Sequence, residues 1–153
     1  MFKKILIPTD GSPLSSQAAN AGITFARSIG AEVVALYVTQ PFAATIGFDG
    51  MAAAYAITDE SYEQAAAEQA GKYLDAVMHR AETAGVKSTR VSVSNFNVAD
   101  GIVQAAGDNG CDLIFIGSHG RSGLSRLLLG SVTAKVLSLA HTGVLVYRVK
   151  EDK

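Results

Sequence analysis

The segment Asp112-Leu113-Ile114-Phe115-Ile116-Gly117-Ser118-His119-Gly120 joins a short run of large apolar residues to a loop that contains glycine. A run of this length between turn residues predicts a strand buried on both faces, here Asp112 to Gly117. Further on, Gly130-Ser131-Val132-Thr133 opens a predicted helix over Gly130 to Ala140. A buried strand, a loop and a helix in succession are the repeating unit of α/β folds.

The rest of the chain repeats this alternation. Ile5-Leu6-Ile7-Pro8 predicts a buried strand, after which Ser12 caps a helix that has Pro13 in its first position and stops at Gly30. The remaining predictions are strands over Glu32 to Val38, Arg90 to Ser94 and Val144 to Val149, helices over Asp59 to Ala84 and Val98 to Asn109, and a long loop over Gln40 to Thr58. We therefore expect an α/β sandwich around a parallel sheet.

Composition limits the kind of protein this is. A length of 153 residues, 48% of them hydrophobic, is enough for one domain spanning residues 1–153. The formal charge of −1 argues against a protein that coats nucleic acid or an anionic membrane. Apolar runs of at most seven residues, a start that lacks a secretory signal and a single cysteine, Cys111, lead us to expect a cytoplasmic protein without membrane spans or internal disulfides.

Parallel sheets bind ligands at the carboxyl ends of their strands, so we expect the site in the loops after Pro8, Val38 and Gly117. Gly117 and Gly120 have no Cβ, and the loop between them can turn sharply and approach a ligand closely. The helix that opens at Gly130 offers unpaired backbone N–H groups and two hydroxyls, which favour an anion. Together the two elements predict a clamp for phosphate groups.

The distribution of charge agrees with this prediction. From Leu113 to Lys150 the chain has five cations and no carboxylate, whereas residues 1–112 have seven cations and twelve carboxylates. Each charge-assisted contact to a phosphate oxygen contributes about 1.5–3 kcal/mol, so three or four suffice for micromolar binding. Arg121, inside the glycine-rich loop, is the cation that we expect at the phosphates.

Two common phosphate-binding motifs, G-x-x-x-x-G-K-[ST] and a G-x-G-x-x-G after the first strand, are absent. The pattern that is present is G-x2-G-x9-G-[ST], filled by Gly117, Gly120, Gly130 and Ser131. With this pattern, the opening Lys-Ile-Leu-Ile-Pro-Thr-Asp-Gly-Ser at positions 4–12 and the Leu-Gly-Ser-Val helix entry at 129–132, nearly the whole chain resembles the ATP-binding branch of the universal stress protein family.

This resemblance implies a Rossmann-like, five-stranded parallel sheet in the order 3-2-1-4-5 with helices on both faces. It also implies ATP as the ligand, with Mg²⁺ or Mn²⁺ carried by the phosphates, and a homodimer paired through the last strand. Gly143 stands where many family members have Pro before that strand. The residues implied at adenine and ribose are Pro8, Thr9, Asp10 and Val38, and those at ribose and phosphates are Gly117, His119, Gly120, Arg121, Gly130, Ser131, Val132 and Thr133.

Three functions remain open at this stage. The first is a nucleotide-dependent regulatory module that acts on an unidentified client protein without dedicated catalysis, because no Walker-type lysine or water-activating carboxylate is evident. The second is a slow ATP hydrolase or phosphotransferase that uses His119 or Ser131, and the third is a dimeric scaffold with a vestigial motif. Taken singly, the glycines also fit ordinary turns, and Asp10 also fits a strand-to-helix turn. Metal ligation by side chains is not expected, because the three histidines lack ligand-like spacing.

Overall fold

Strands and helices alternate along the chain in the computed structural model, which describes residues 1–42, 58–120 and 128–150. The predicted Gln40 to Thr58 loop therefore lies mostly outside the described residues. The strands are β1 (Lys4–Pro8), β2 (Glu32–Thr39), β3 (Ser88–Ser94), β4 (Leu113–Gly117) and β5 (Gly143–Tyr147); the helices are α1 (Pro13–Ile29), α2 (Asp59–Thr83), α3 (Val98–Asp108) and α4 (Ser131–Leu139). The predicted order of elements is confirmed.

The strands form one five-stranded sheet in the order β3-β2-β1-β4-β5, and every neighbouring pair is parallel. The central strand is β1, in which Leu6 pairs with Val34 of β2 and with Ile114 of β4. This is the expected 3-2-1-4-5 order. Because the winding direction reverses between β1 and β4, the loops after these strands diverge and leave a crevice at the carboxyl edge of the sheet.

Helices cover both faces of the sheet, as the continuous apolar strands predict. Side chains of a strand point alternately to its two faces, so Ile5 and Ile7 pack with α1 and α2, and Leu6 packs with α3 and α4. These three residues, at the centre of β1, are fully buried. No helix in the described part of the chain is long and apolar enough to cross a membrane.

Local signals set the ends of α1 and α2. The Ser12 hydroxyl caps α1 by accepting a hydrogen bond from the N–H of Ser15, and Gly30 ends the helix in the left-handed conformation, with a φ of 69°. Thr58 and Ser61 form a reciprocal capping box at the start of α2. These ends agree with the sequence prediction to within a residue.

The two edge strands differ from their predicted bounds. β3 starts at Ser88, two residues before the predicted Arg90, because β2 provides a pairing partner there, Val33 opposite Ser88. β5 runs from Gly143 to Tyr147 and stops short of the predicted end at Val149. Its ladder with β4 ends with the pair Gly117 and Tyr147, beyond which the chain turns toward the loop after β4.

At the amino edge of the sheet, one side chain bonds the backbone N–H groups that precede β1 and begin it. The carboxylate of Asp112 accepts hydrogen bonds from the backbone N–H groups of Lys3 (2.8 Å) and Lys4 (3.0 Å). Partial desolvation works to raise the pKa of Asp112, but these bonds outweigh it and hold the pKa below its ordinary value. Next to it, Cys111 is buried, and this burial raises the pKa of its thiol to about 11.

Candidate functional site

A cavity of about 560 Å³ lies at the carboxyl ends of β1, β2 and β4, beside the crevice where the sheet reverses direction. This volume is within the usual range for small-molecule sites, roughly 300–1,000 Å³. Its walls are the β1–α1 turn, the end of β2, one side of α2, the loop after β4 and the first turn of α4. The cavity therefore occupies the place that the parallel topology predicts for a ligand.

Nearly all the predicted site residues meet at this cavity. Arg121 falls outside the described residues, so its expected contact with phosphate stays a prediction. The other predicted residues all line the cavity, namely Pro8, Thr9, Asp10, Val38, Gly117, His119, Gly120, Gly130, Ser131, Val132 and Thr133.

Buried polar side chains concentrate around the cavity. In the described part of the chain, the buried polar residues are Thr9, Ser15, Ser118 and Thr133, each less than a tenth exposed. Three of them line the cavity, and Ser118 lies between two lining residues. Buried polar groups need hydrogen-bond partners, so their clustering marks this edge as built differently from the apolar interior.

The β1–α1 turn satisfies its own polar groups. The Ser12 hydroxyl caps α1, and the Asp10 carboxylate accepts a hydrogen bond from the N–H of Ser12 at 2.9 Å. The hydroxyl of Ser15 accepts from the N–H of Asp10 at 3.1 Å and donates to the Thr9 hydroxyl oxygen at 2.9 Å. This network fixes the Asp10 backbone and holds its carboxylate at the wall of the cavity.

The first turn of α4 is arranged in the opposite way. Its N-cap is Gly130, and none of the described side chains makes a capping hydrogen bond there. Thr133, in this first turn, directs its hydroxyl to the carbonyl oxygen of Gly117 at 2.7 Å, and so ties α4 to the end of β4. The first-turn N–H groups, which carry the positive end of the helix dipole, thus lie at the cavity without a side-chain cap.

Two glycines at the cavity allow the backbone to lie close to its neighbours. A Cβ added to Gly120 would lie 2.5 Å from the Asp10 carboxylate, and one added to Gly130 would lie 3.3 Å from the carbonyl oxygen of Ser118. Both positions are too tight for an ordinary side chain without movement of the neighbour. Gly120 thereby approaches the Asp10 carboxylate, and Gly130 approaches the Ser118 carbonyl oxygen, more closely than another residue would without a shift of that neighbour.

His119 has one paired and one unpaired ring nitrogen. Its Nδ1 lies 3.2 Å from the hydroxyl oxygen of Ser118. Its Nε2 is buried and has no hydrogen-bond partner among the described residues. The adjacent carbon, Cδ2, is 4.0 Å from the position of a Cβ at Gly130, so this edge of the ring faces the start of α4. A buried polar atom without a partner beside an uncapped helix end fits a site that a ligand oxygen completes.

Only some of the charged side chains expected near the phosphates are among the described residues. Asp10 is the one carboxylate in the described lining, which includes neither lysine nor arginine. Arg121, the cation expected at the phosphates, lies outside the described residues, as does Arg126. Among the residues that are described, no group of three or more His, Cys, Asp or Glu side chains is placed to hold a metal ion.

The sequence prediction missed the wall that α2 contributes. Tyr62, Ala66 and Gln69 line the cavity, and Tyr73 packs over Gly11, where an added Cβ would lie 2.3 Å from the tyrosine ring. These four positions are separated by four, three and four residues, which places them on one side of a helix. This spacing is a usable signal, but the sequence does not reveal that this side of α2 faces the site. The other lining residues not predicted are Ser15, Ala18, Tyr37, Thr39, Gln40, Ala65, Val98, Ile102 and Ile116.

Fold and site together define an α/β domain with a small-molecule cavity at the switch point of a parallel sheet. The model of the universal stress protein family matches residues 1–148 of the chain. The chain therefore belongs to the universal stress protein family, and the resemblance drawn from its motifs is confirmed.

Known proteins similar to this chain agree with that assignment. Universal stress protein MJ0531 of Methanocaldococcus jannaschii is 38% identical over 156 residues, covering 100% of this chain and 85% of the relative. Universal stress protein MJ0577 of the same organism is 30% identical over 160 residues, covering 99% and 98%. The solved structure of MJ0577 has a TM-score of 0.81 at 29% identity and covers 99% of both chains. A universal stress protein solved in complex with cAMP has a TM-score of 0.66 at 24% identity, covering 97% of this chain and 98% of that one.

Proposed function

We propose that this protein binds ATP in the cavity at the carboxyl edge of its sheet and acts as a nucleotide-dependent regulatory module. The observation that carries the proposal is the first turn of α4, which lies at the cavity with a glycine N-cap and without a capping hydrogen bond from any described side chain. Such a helix end favours an anion through both its unpaired donors and its dipole. The universal stress protein that was solved with cAMP makes an adenine nucleotide a reasonable ligand for this fold.

The charges in the cavity suggest how a nucleotide lies in it. A phosphate chain is repelled by the carboxylate of Asp10 and attracted by the first turn of α4, so the phosphates belong at Gly130 to Thr133. The ribose then belongs at Asp10, because its hydroxyl groups donate hydrogen bonds to a carboxylate. The base belongs near Pro8 and Val38, at the ends of β1 and β2. Mg²⁺ or Mn²⁺ would enter with the phosphates as their counterion.

The rest of the proposal concerns assembly and partners. We propose a cytoplasmic homodimer that pairs through β5, which lies at one edge of the sheet. Tyr147 in β5 and Leu137 and Leu139 in the preceding helix are large apolar residues that stay exposed in the single chain. Apolar surface at a sheet edge is typical of interfaces that pair strands. Nucleotide occupancy would then alter the surface around the loop after Gly120 that a client protein contacts.

A binding and turnover experiment tests the proposed function. Purified protein is incubated with slightly substoichiometric Mg-ATP, and the bound and free nucleotides are separated and identified by chromatography over several hours. We expect intact ATP to stay on the protein. Steady release of ADP or AMP would instead identify a slow hydrolase, and nucleotide that never associates would identify a vestigial motif.

A variant at Gly130 locates the binding to the first turn of α4. We expect Gly130→Val to lower ATP affinity by about a hundredfold or more, because the branched side chain occupies the space of the phosphates and removes several charge-assisted hydrogen bonds. Gly71→Val is the matched control, since Gly71 lies within α2 and a Cβ there meets nothing within 4 Å. Calorimetric titration of both variants measures the effect. Equal affinities for the two variants would contradict the assignment of the phosphates to α4.

A further inference from the structure

Ser118, which no motif singled out, is bonded to three different elements around the site. Its N–H donates to the carbonyl oxygen of Tyr147 at 2.8 Å, and its carbonyl oxygen accepts from the N–H of Gly130 at 2.8 Å. Its hydroxyl oxygen accepts from the N–H of Val149 at 3.2 Å and lies 3.2 Å from Nδ1 of His119. Ser118 is 3% exposed, so the polar groups that it presents are shielded from water.

The proton of the Ser118 hydroxyl has one acceptor among these contacts. The N–H of Val149 is a donor and occupies a lone pair of the hydroxyl oxygen. Nδ1 of His119 is the remaining described partner, and it accepts a hydrogen bond when the ring carries its own hydrogen on Nε2. Because a buried hydroxyl that keeps its proton unpaired is costly, this geometry favours donation from Ser118 to Nδ1.

We propose that Ser118 is a positioning residue that holds neutral His119 with its proton on Nε2, so that this N–H donates to an acceptor oxygen of the bound nucleotide. The proposal rests on the proposed function for the identity of the ligand, and it adds the group that orients His119. Nε2 is the ring atom left buried and unpaired among the described residues, on the edge of the ring that faces Gly130. An oxygen of a phosphate or ribose is an acceptor of the kind that this N–H lacks.

The same residue also sets the distance between the two halves of the site. The backbone of Ser118 holds Gly130 at the start of α4, while its side chain holds His119 in the loop. The N–H of Nε2 and the N–H groups of the first turn of α4 are therefore fixed relative to each other before a ligand arrives. Donors held in place lose little entropy on binding, and this preorganisation favours affinity.

Nuclear magnetic resonance of the free protein tests the tautomer without any nucleotide. In ¹⁵N-labelled protein in alkaline buffer, two-bond proton–nitrogen correlations distinguish a ring nitrogen that carries hydrogen from one that does not. We expect Nδ1 of His119 to be bare and Nε2 to carry hydrogen, and we expect Ser118→Ala to give a mixture of both tautomers. Hydrogen on Nδ1 in the unaltered protein would overturn the proposal.

A double-mutant cycle tests whether Ser118 acts through His119. His119→Gln supplies an amide donor near the position of Nε2 that has no tautomer to be fixed. We expect Ser118→Ala to weaken ATP binding about tenfold in the unaltered protein and less than about twofold in the His119→Gln background. We also expect Ser118→Thr, which keeps the hydroxyl, to recover most of the affinity that Ser118→Ala loses.

The outcomes separate this inference from the proposed function. Equal losses of affinity from Ser118→Ala in both backgrounds would indicate a purely structural role and overturn the positioning. An unaltered protein that binds no adenine nucleotide would overturn the proposed function and the donation to ligand, while the tautomer would still be decided by resonance of the free chain.

Discussion

Helices α1 and α4 both begin at the carboxyl edge of the sheet, after the neighbouring strands β1 and β4. They differ in whether a side chain caps the N–H groups of the first turn. In α1, the Ser12 hydroxyl accepts a hydrogen bond from the N–H of Ser15, and the Asp10 carboxylate accepts from the N–H of Ser12. In α4, the N-cap is Gly130, and no side chain in the described part of the chain caps the turn. The protein thus closes one helix end with its own side chains, and we propose that the other end binds the phosphates of the ligand.

The remaining two described helices, α2 and α3, are capped by side chains, as α1 is. The hydroxyl of Thr58 caps α2, and the side-chain oxygen of Asn97 accepts from the N–H groups of Ala99 and Asp100 in α3. The absence of a cap is therefore particular to α4 among the described helices. Its energetic cost is small, because glycine is only a few tenths of a kcal/mol worse than the best N-cap residues. A phosphate site at this position costs the fold little stability.

Closing the first turn of α4 gives the largest expected effect. Gly130→Asp places a carboxylate where it accepts hydrogen bonds from the N–H groups of Val132 or Thr133, as the side chains of α1 do for that helix. We expect ATP affinity to fall by at least about a hundredfold, because the new carboxylate occupies these donors and repels phosphate. Calorimetric titration measures the loss, and thermal unfolding should change by only about 2–4 °C. An affinity within about threefold of the unaltered protein would refute the contrast between the two helix ends.

Opening the first turn of α1 should affect stability and leave binding nearly unaltered. Ser12→Ala removes the cap from the N–H of Ser15, and we expect unfolding to become easier by about 1 kcal/mol, or about 2–4 °C in Tm. ATP affinity should change by less than about threefold, because the Asp10 carboxylate keeps its bond from the Ser12 backbone. Thermal unfolding and titration of the same sample check both numbers. A loss of affinity as large as that at Gly130 would mean that α1 also holds phosphate.

The amino edge of the sheet offers a smaller test of how much a side chain stabilises the fold by bonding backbone N–H groups. There the Asp112 carboxylate accepts hydrogen bonds from the N–H groups of Lys3 and Lys4. We expect Asp112→Asn to lower Tm by about 1–3 °C at neutral pH. The pKa of Asp112 is lowered by folding, so its stabilisation is present above the ordinary carboxyl pKa and disappears as pH falls through the lowered folded value. The difference in Tm between variant and unaltered protein should therefore shrink in acid. A difference that grows as pH falls would contradict this sign.

Much of the fold followed from local patterns in the sequence, and the misses have physical causes. Ser12, Pro13 and Gly30 mark the ends of α1 by their own conformational preferences, so those ends were predictable. The end of β5 was not, because Val149 leaves the ladder for the hydroxyl of Ser118, which is 31 positions away. Such a choice depends on which elements meet in space.

The candidate site also contains residues that the sequence predicted and residues that it could not predict. The residues that follow β1 and β4 were predicted, because a parallel sheet brings the ends of these strands together wherever the helices lie. The α2 wall with Tyr62 and Gln69 was missed, since the side of α2 that faces the cavity is decided by tertiary packing. Ser118 was missed because its importance lies in bonds to Val149, His119 and Gly130 that the sequence does not display.

The most direct test of the central claim is to follow backbone amide resonances during titrations with ATP and, separately, with adenosine. ATP should shift the amide signals of Ser131, Val132 and Thr133 strongly, and it should shift those of Leu14 and Ser15 in the capped first turn of α1 much less. Adenosine, which has no phosphate, should shift the three α4 amides much less than ATP does. Saturating ATP that leaves the α4 amides unshifted, or that shifts the two helix ends equally, would contradict the claim that the open end of α4 is the phosphate site.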